Sequence, residues 1–252
     1  MNTRQSAIID VLQKDERVGV RRLAEHFGVS QMTIRRDMAM LEERGFLIRT
    51  HGGGLPADKL RFLHRAFPHY SVSPQKAAIG KLAASLAQPK QTVMVDSGTT
   101  TLEVARNLPK DIDITVATTS IWVAQELYGS PFNLVLFGGF IRRGFPSTYG
   151  PLTEAMAREF HVNLLFVGCD GADSRCGFYT AELATTSLEH LMISISDYVV
   201  VVAESSKFLN KALVRYATLD QIDALVTDTG LSDTDRKNLE DNGIKILLAE
   251  VD

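Results

Sequence analysis

Beyond residue 75 the chain carries six short apolar runs, at 92–96, 114–118, 134–137, 164–168, 198–203 and 224–227. Helical spacing fills several of the gaps between them, over 76–87, 101–108 and 122–127. Apolar runs of this length, with no polar alternation, suit strands covered on both faces. Strands of that kind alternating with helices make a parallel sheet with helices packed on each side. Residues 76–252 are therefore expected to form one α/β domain, with no internal repeat and no low-complexity tract.

The first 55 residues follow a different pattern. Arg21-Arg22-Leu23-Ala24-Glu25-His26-Phe27-Gly28 reads as a short amphipathic helix stopped by a glycine. Ser30 stands where an N-cap belongs, and Ile34, Met38 and Leu41 recur at spacings of four and three, which places them on one buried face. Met32, Thr33, Arg36 and Ala39 fall on the other face, with Arg35 at its edge. Arginines, a hydroxyl and small or apolar groups are what a surface facing the major groove needs. A helical segment at 4–14 precedes this pair, and 46–54 follows it with an alternating run broken by Gly52, Gly53 and Gly54, as a small hairpin wing would be. Residues 1–55 are thus expected to be a winged helix-turn-helix. Double-stranded DNA would be contacted by Arg21, Ser30, Gln31, Met32, Thr33, Arg35, Arg36, Arg49 and His51. Residues 56–75, with Pro56, Pro68 and Pro74, read as a linker. Leu60, Phe62, Leu63, Phe67 and Tyr70 are apolar enough for part of it to pack on the body.

Charge agrees with this division. Residues 1–55 hold nine Lys/Arg against seven Asp/Glu, and the remainder 18 against 23. A weakly basic head on an acidic body confines DNA contact to one end. So small a head offers few phosphate contacts, so tight binding is expected to need a dimer or tetramer. No apolar run reaches the length of a membrane span, and Met1-Asn2-Thr3-Arg4 leads straight into a helical pattern without a signal peptide. A cytoplasmic location with no membrane partner is expected. Cys169 and Cys176 suit neither a disulfide scaffold nor a four-ligand zinc site, and no metal or cofactor is expected.

Ser30, the run Thr33-Ile34-Arg35-Arg36-Asp37 and the His51-Gly52-Gly53 ending resemble the DeoR family of bacterial regulators of sugar metabolism, and the resemblance runs essentially end to end. It implies a DNA-binding regulator, most often a repressor, released from its operator by a phosphorylated sugar or polyol.

In an open parallel sheet, ligands bind beyond the carboxyl ends of the strands. Asp96-Ser97-Gly98-Thr99-Thr100 follows the first run and opens a helix, where backbone N–H groups and hydroxyls favour a phosphate. Gly138, Gly139 and Arg142 follow another run, Gly168-Cys169-Asp170-Gly171-Ala172-Asp173 a third, and Glu204-Ser205-Ser206-Lys207 a fourth. Asp173 reads equally well as a turn residue, and Arg142 as an interface residue.

The stretch 75–108 is also similar to the opening of ribose-5-phosphate isomerase. That likeness implies a phosphate contact for Lys76, hydroxyl contacts for Thr99 and Thr100, and a sugar contact for Asp170 with Lys207 nearby. The expected effector site is Lys76, Asp96, Ser97, Gly98, Thr99, Thr100, Gly138, Gly139, Arg142, Asp170 and Lys207. The chain departs from the family's usual residues at Thr119, Glu189, Glu204, Ser205 and Leu209, and Thr180 stands near the place of the isomerase's second lysine. A rival reading makes the body a sugar-phosphate isomerase with an accessory DNA-binding head and Glu189 as its base.

Overall fold

The structure is a computed structural model that describes residues 3–14, 18–43, 47–50, 52–56, 73–142 and 145–251. His51 and 57–72, most of the expected linker, lie outside the described residues. The chain divides into two compact units, Met1–His69 and Tyr70–Asp252. No helix among the described residues is long and apolar enough to cross a membrane.

The first unit runs α1 (Thr3–Lys14), β1 (Val18–Gly19), α2 (Val20–Phe27), α3 (Gln31–Glu43), β2 (Leu47–Thr50) and β3 (Gly53–Pro56), with its strands in the order β1-β3-β2. Gly28 ends α2 in the left-handed region at φ 63°, a conformation that suits a residue without Cβ. Ser30 Oγ then accepts from the Thr33 N–H at 3.2 Å and caps α3. Ile34, Met38 and Leu41 of α3 bury against Leu23 and Ala24 of α2, Ile8 of α1 and Leu47 of the hairpin.

One feature of this unit differs from the expectation, and one lies outside it. Gly53 and Gly54 do not end the hairpin but lie in its return strand, paired with both β1 and β2. A Cβ on Gly53 would fall 1.9 Å from the Val18 carbonyl oxygen, so only glycine lets the third strand approach. Asp37, in the middle of α3, is buried. It accepts from Arg4 Nε at 2.6 Å and from Gln5 Nε2 at 3.2 Å, which ties α1 to α3.

The second unit runs α4 (Pro74–Ala84), β4 (Thr92–Val95), α5 (Thr99–Asn107), β5 (Thr115–Thr118), α6 (Ile121–Leu127), β6 (Asn133–Leu136), β7 (Phe140–Ile141), β8 (Thr148–Tyr149), α7 (Pro151–Arg158) and β9 (Leu164–Val167). It continues with β10 (Gly171–Asp173), β11 (Gly177–Thr180), α8 (Thr186–Ser194), β12 (Val199–Val202), β13 (Val214–Ala217), β14 (Ala224–Asp228), α9 (Asp233–Asp241) and β15 (Lys245–Ala249). A seven-stranded parallel sheet has the order β15-β14-β12-β9-β4-β5-β6. The most interior strands are the most apolar: every residue of Leu164–Val167 and Val199–Val202 is buried.

The second unit departs from the expectation in three respects. The sheet gains a seventh, β15, whose half-buried Ile246, Leu247 and Leu248 follow an exposed lysine at the sheet edge. Strands β10, β11 and β13 form a separate antiparallel sheet, with a register shift between Phe178 and Tyr179. Helix α5 begins at Thr99, so Thr99 and Thr100 sit in its first turn rather than before it.

Asp37 supplies the first prediction. Replacing it by alanine leaves Arg4 and Gln5 without their acceptor and should destabilise the first unit by about 1–3 kcal/mol. Amide hydrogen exchange in α1 and α3 of the full chain should rise accordingly, with the second unit unaffected. Wild-type protection in Asp37→Ala would remove the anchoring role.

Candidate nucleic-acid interface and effector site

Helix α3 presents Gln31, Met32, Arg35 and Arg36 to solvent, with Thr33 half-buried beside them. Met32 is 73% exposed, on the face of α3 opposite the buried Ile34, Met38 and Leu41. Ser30 Oγ and Thr33 Oγ1 lie 2.9 Å apart, so the two hydroxyls expected to reach DNA also bond to each other at the helix start. Arg21 is exposed on α2 and pairs with Glu25 at 3.0 Å. Arg49 lies on β2. Asp37 sits in the same run as Arg35 and Arg36 but points inward. Its signal was available only as an acidic residue flanked by buried positions.

In the second unit the strand order reverses between β4 and β9. From β4 the chain moves outward through β5 and β6, and from β9 it moves the other way through β12, β14 and β15. A crevice opens at such a reversal, beyond the carboxyl ends of the two central strands. Here those ends are Asp96 and Gly168, and Asp96 Oδ2 accepts from the Gly168 N–H at 3.3 Å. Thr101 shapes the loop between them: its Oγ1 accepts from the Gly98 N–H at 2.7 Å and donates to the Asp96 carbonyl at 2.7 Å. Gly98, Thr99 and Thr100 then form the start of α5, where the first helical N–H groups have no partner within the helix.

The antiparallel sheet covers this crevice from the β9 side. Tyr216 of β13 donates its hydroxyl to the Gly168 carbonyl at 2.7 Å, the Asp170 N–H bonds the Tyr179 carbonyl at 2.9 Å, and Asp170 Oδ2 accepts from the Ala181 N–H at 2.8 Å. Asp173 is placed elsewhere. It closes the β10–β11 turn through the Arg175 N–H and pairs with Lys211 at 2.6 Å. Helix α8 brings Glu189 to the same place, where Thr185 Oγ1 donates to its Oε1 at 3.3 Å.

The electrostatics of the crevice are those of carboxyls short of water. Burial raises the Asp96 carboxyl above its ordinary range; the N–H groups of Ser97 and Gly168 and the charge of Arg142 oppose the shift, and Asp170 adds to it. Glu189 is pushed up to about 8, first by burial, then by Asp96, with the hydroxyls of Thr180 and Thr185 pulling back and Asp170 reinforcing. Burial holds Cys169 as a thiol, up to about 12, against the charge of Lys207. Tyr216 is raised well above the usual phenol range by burial and by the surrounding acids.

The remaining expected residues divide into two groups. Lys207 lies in the 3-10 turn Ser205–Leu209 after β12. That turn is pinned from β14, because Asp228 accepts from the Ser205 N–H at 2.8 Å and from the Ser205 hydroxyl at 2.7 Å. Lys76, in the first turn of α4, faces Glu204 at 3.7 Å, and Ser73 Oγ donates to the same carboxylate at 2.6 Å. Gly138 and Gly139 follow β6, two strands away from β4. A Cβ on Gly139 would stand 2.0 Å from Thr153 Oγ1, so packing on α7 requires glycine there, whereas Gly138, whose carbonyl accepts from Thr153 at 2.7 Å, has open space where a Cβ would stand. Arg142, beyond β7, returns toward Asp96 and stacks over the Phe145 ring at 4.4 Å. Sequence reasoning missed Tyr216 and Asp228, and the β10–β11 hairpin could have been read from two short β-prone runs flanking Ser174-Arg175-Cys176.

Residues 4–59 match the DeoR-like helix-turn-helix domain, and residues 71–229 match the DeoR C terminal sensor domain. The chain belongs to the DeoR family. It is similar to the HTH-type transcriptional regulator GlpR of Haloferax volcanii, with 32% identity over 246 residues, covering 97% of this chain and 96% of the relative. It is also 32% identical over 249 residues to the putative aga operon transcriptional repressor of Escherichia coli O157:H7, covering 97% and 93%. Among solved structures, ribose 5-phosphate isomerase A from Methanocaldococcus jannaschii aligns over 53% of each chain with 16% identity and a TM-score of 0.40. The relatives are transcriptional regulators, and this DeoR-family chain is a regulator rather than an isomerase with a head attached.

Glu189 gives a signed pH dependence. Its folded pKa of about 8 exceeds the ordinary 4.5, so between those values the folded regulator holds a proton that the unfolded chain releases. Stability is then greatest below pH 4.5 for this group and falls as pH rises through about 8, by on the order of a few kcal/mol. The raised carboxyl of Asp96 acts in the same direction. Thermal unfolding of the second unit between pH 5 and 9 should show a decline that is shallower in Glu189→Gln. Identical slopes for the two proteins would contradict it.

Proposed function

We propose that the protein represses a sugar or polyol catabolism operon and is released from its operator by a phosphorylated sugar. The observation that carries the reading is the crevice at the strand reversal, where a helix start, hydroxyls and cations gather beside carboxyls that can accept from sugar hydroxyls. Ser97, Gly98, Thr99 and Thr100 with Lys207 and Arg142 take the phosphate, and Asp96 and Asp170 take hydroxyls. Lys76 acts from the rim through its pairing with Glu204. Gly139 shapes the neighbouring loop through its packing on Thr153, and Gly138, open where a Cβ would stand, leaves room for the ligand.

On the DNA side, Gln31, Met32, Arg35 and Arg36 of α3 enter the major groove. Ser30 and Thr33 set the helix start against the backbone, and Arg21, Arg49 and His51 contact flanking phosphates. Two or more heads on one oligomer supply the affinity that one cannot. The sensor domain begins where Ser73 caps α4, after a linker that follows Pro56 of β3. The protein works in the cytoplasm on double-stranded DNA, without a membrane partner. A coupling of only about 1–3 kcal/mol between the two sites changes operator occupancy 5- to 150-fold.

Arg36→Ala should lose operator binding by roughly 5- to 150-fold while still binding the effector, because one bidentate guanine contact is worth about 1–3 kcal/mol. Thr99→Asp places a negative charge at the start of α5 and should do the reverse, giving a repressor that stays on DNA. Fluorescence anisotropy with a fragment from upstream of the protein's own gene, at fixed salt and with a panel of sugar phosphates, reads both effects. Wild-type operator affinity in Arg36→Ala would reject the assignment of α3. Release by free sugars as well as by their phosphates would reject the phosphate assignment.

A further inference from the structure

Lys76 and Lys211 of the second unit each hold a carboxylate, Glu204 at 3.7 Å and Asp173 at 2.6 Å. Arg142 and Lys207 hold none within 4.0 Å among the described residues. An arginine keeps its charge at every working pH, so Arg142 is a standing cation without a counter-ion. It is also fixed in place. Its backbone N–H donates to the Ser147 carbonyl at 2.8 Å, and its guanidinium lies 4.4 Å from the centre of the Phe145 ring, which packs edge-on against Trp122 of α6 at 5.0 Å. The same segment is laced to the end of β5. The Pro146 carbonyl accepts from the Ile121 N–H at 2.9 Å, and the Thr148 N–H donates to the Thr119 carbonyl at 2.9 Å.

Two polar atoms of this segment are buried with no partner among the described residues, Arg142 Nε and the hydroxyl of Ser147, a residue only 1% exposed. Arg142 and Ser147 stand opposite one another where the antiparallel pairing of β7 and β8 continues, which puts their side chains on one face. Buried polar groups left unpaired are costly, and sites that keep them commonly hold something that completes them. A guanidinium N–H beside a hydroxyl suits the oxygens of an anion. A neutral acceptor satisfies the N–H but leaves the charge of Arg142 uncompensated. Asp96 does not serve, because its Oδ2 is turned to the Gly168 N–H at 3.3 Å.

Lys207 is held on the other flank. Its backbone N–H donates to the Glu204 carbonyl at 2.9 Å, in the turn that Asp228 of β14 pins through Ser205. From β12, which that turn leaves, to β5 the sheet takes three steps through β9 and β4, about 14 Å at the usual strand spacing. A single phosphate is far smaller than that span, and Arg142 cannot lean across it without leaving the Phe145 ring. Asp96 and Asp170, beyond β4 and β9, stand between the two cations.

We propose that the crevice takes a ligand with an anionic group at each end, one on Arg142 and Ser147 and the other on Lys207, with a polyol between them on Asp96 and Asp170. The chemical class is that of sugar bisphosphates and phosphorylated sugar acids. The inference rests on the sugar-phosphate reading given under the proposed function and refines it at one point: Arg142 and Lys207, grouped there on one phosphate, each receive an anionic group of their own. Residues 56–252 carry 18 Lys/Arg against 23 Asp/Glu, so tighter binding from a second negative charge reports a local contact and not the field of the whole protein.

The test is titration calorimetry of the full chain, at fixed salt, with ligands that differ by one anionic group. Fructose 1,6-bisphosphate is compared with fructose 1-phosphate and fructose 6-phosphate, 6-phosphogluconate with glucose 6-phosphate, and inorganic phosphate serves as the common fragment. The expected result is one set in which the doubly anionic ligand binds at least about tenfold tighter than its singly anionic parents. In Arg142→Gln, with its fold checked by thermal unfolding, that difference is lost while one singly anionic parent binds as it does to wild type. A purely structural role for Arg142 would weaken every ligand alike. Ser147→Ala should reduce the difference several-fold. Equal binding of singly and doubly anionic ligands in every set overturns the proposal on the wild-type protein alone, and so does a difference that survives in Arg142→Gln. Failure of every sugar phosphate and of inorganic phosphate to bind is a separate result, which removes the sugar-phosphate reading itself and this inference with it.

Discussion

Asp96 joins the carboxyl ends of two strands from which the chain departs in opposite directions, and the chemistry of the sensor unit follows from that junction. Its side chain spans from β4 to the Gly168 N–H of β9, while its own carbonyl receives the Thr101 hydroxyl that shapes the start of α5. Burial of this carboxyl is unfavourable, and the backbone N–H groups and Arg142 offset part of the cost. The result is a crevice whose walls are set before any ligand arrives. A positive helix start stands on one side and acids accumulate on the other. Preorganisation of that kind reduces the ordering entropy a ligand must overcome.

The first unit solves a smaller problem by similar means. With so few residues, its apolar core of Ile8, Leu23, Ile34, Met38, Leu41 and Leu47 is slight, and a buried Asp37 fixes the angle between α1 and α3 more sharply than aliphatic contact would. Gly53 does the same for the hairpin by admitting the Val18 backbone at a distance no side chain allows. Both devices leave the outer face of α3 free for Met32, Arg35 and Arg36.

What could be read from the sequence was whatever repeats with a period. The parallel strands were legible because Leu164–Val167 and Val199–Val202 are apolar without interruption, and α3 was legible because Ile34, Met38 and Leu41 keep a helical interval. Long-range pairings were not. Nothing local distinguishes Tyr216 from any other aromatic on a short strand, yet its hydroxyl finds a carbonyl 48 residues away. Asp228 likewise reads as a strand end until Ser205 is seen docked on it. Gly139 reads as a ligand-loop glycine in the sequence because glycine after a strand serves close packing as readily as ligand approach. The distinction lay in Thr153, on a helix with no signal to connect it to Gly139. The β15 edge was hidden by Lys245, whose charge interrupts an otherwise apolar run.

A sensor responds only to a ligand that binds its two states unequally. In this crevice one wall is made of β10, β11, β13 and α8: Tyr216 bonds it to Gly168 at the end of β9, and Phe178, Leu188, Leu191 and Met192 pack it into the core with Leu165 and Val201 of the parallel sheet. The opposite wall, the start of α5, is locked into the sheet by Thr101 and cannot shift without breaking its own cap. A ligand that touches both walls, and fits one separation of them better than another, converts its binding into a bias between two conformations.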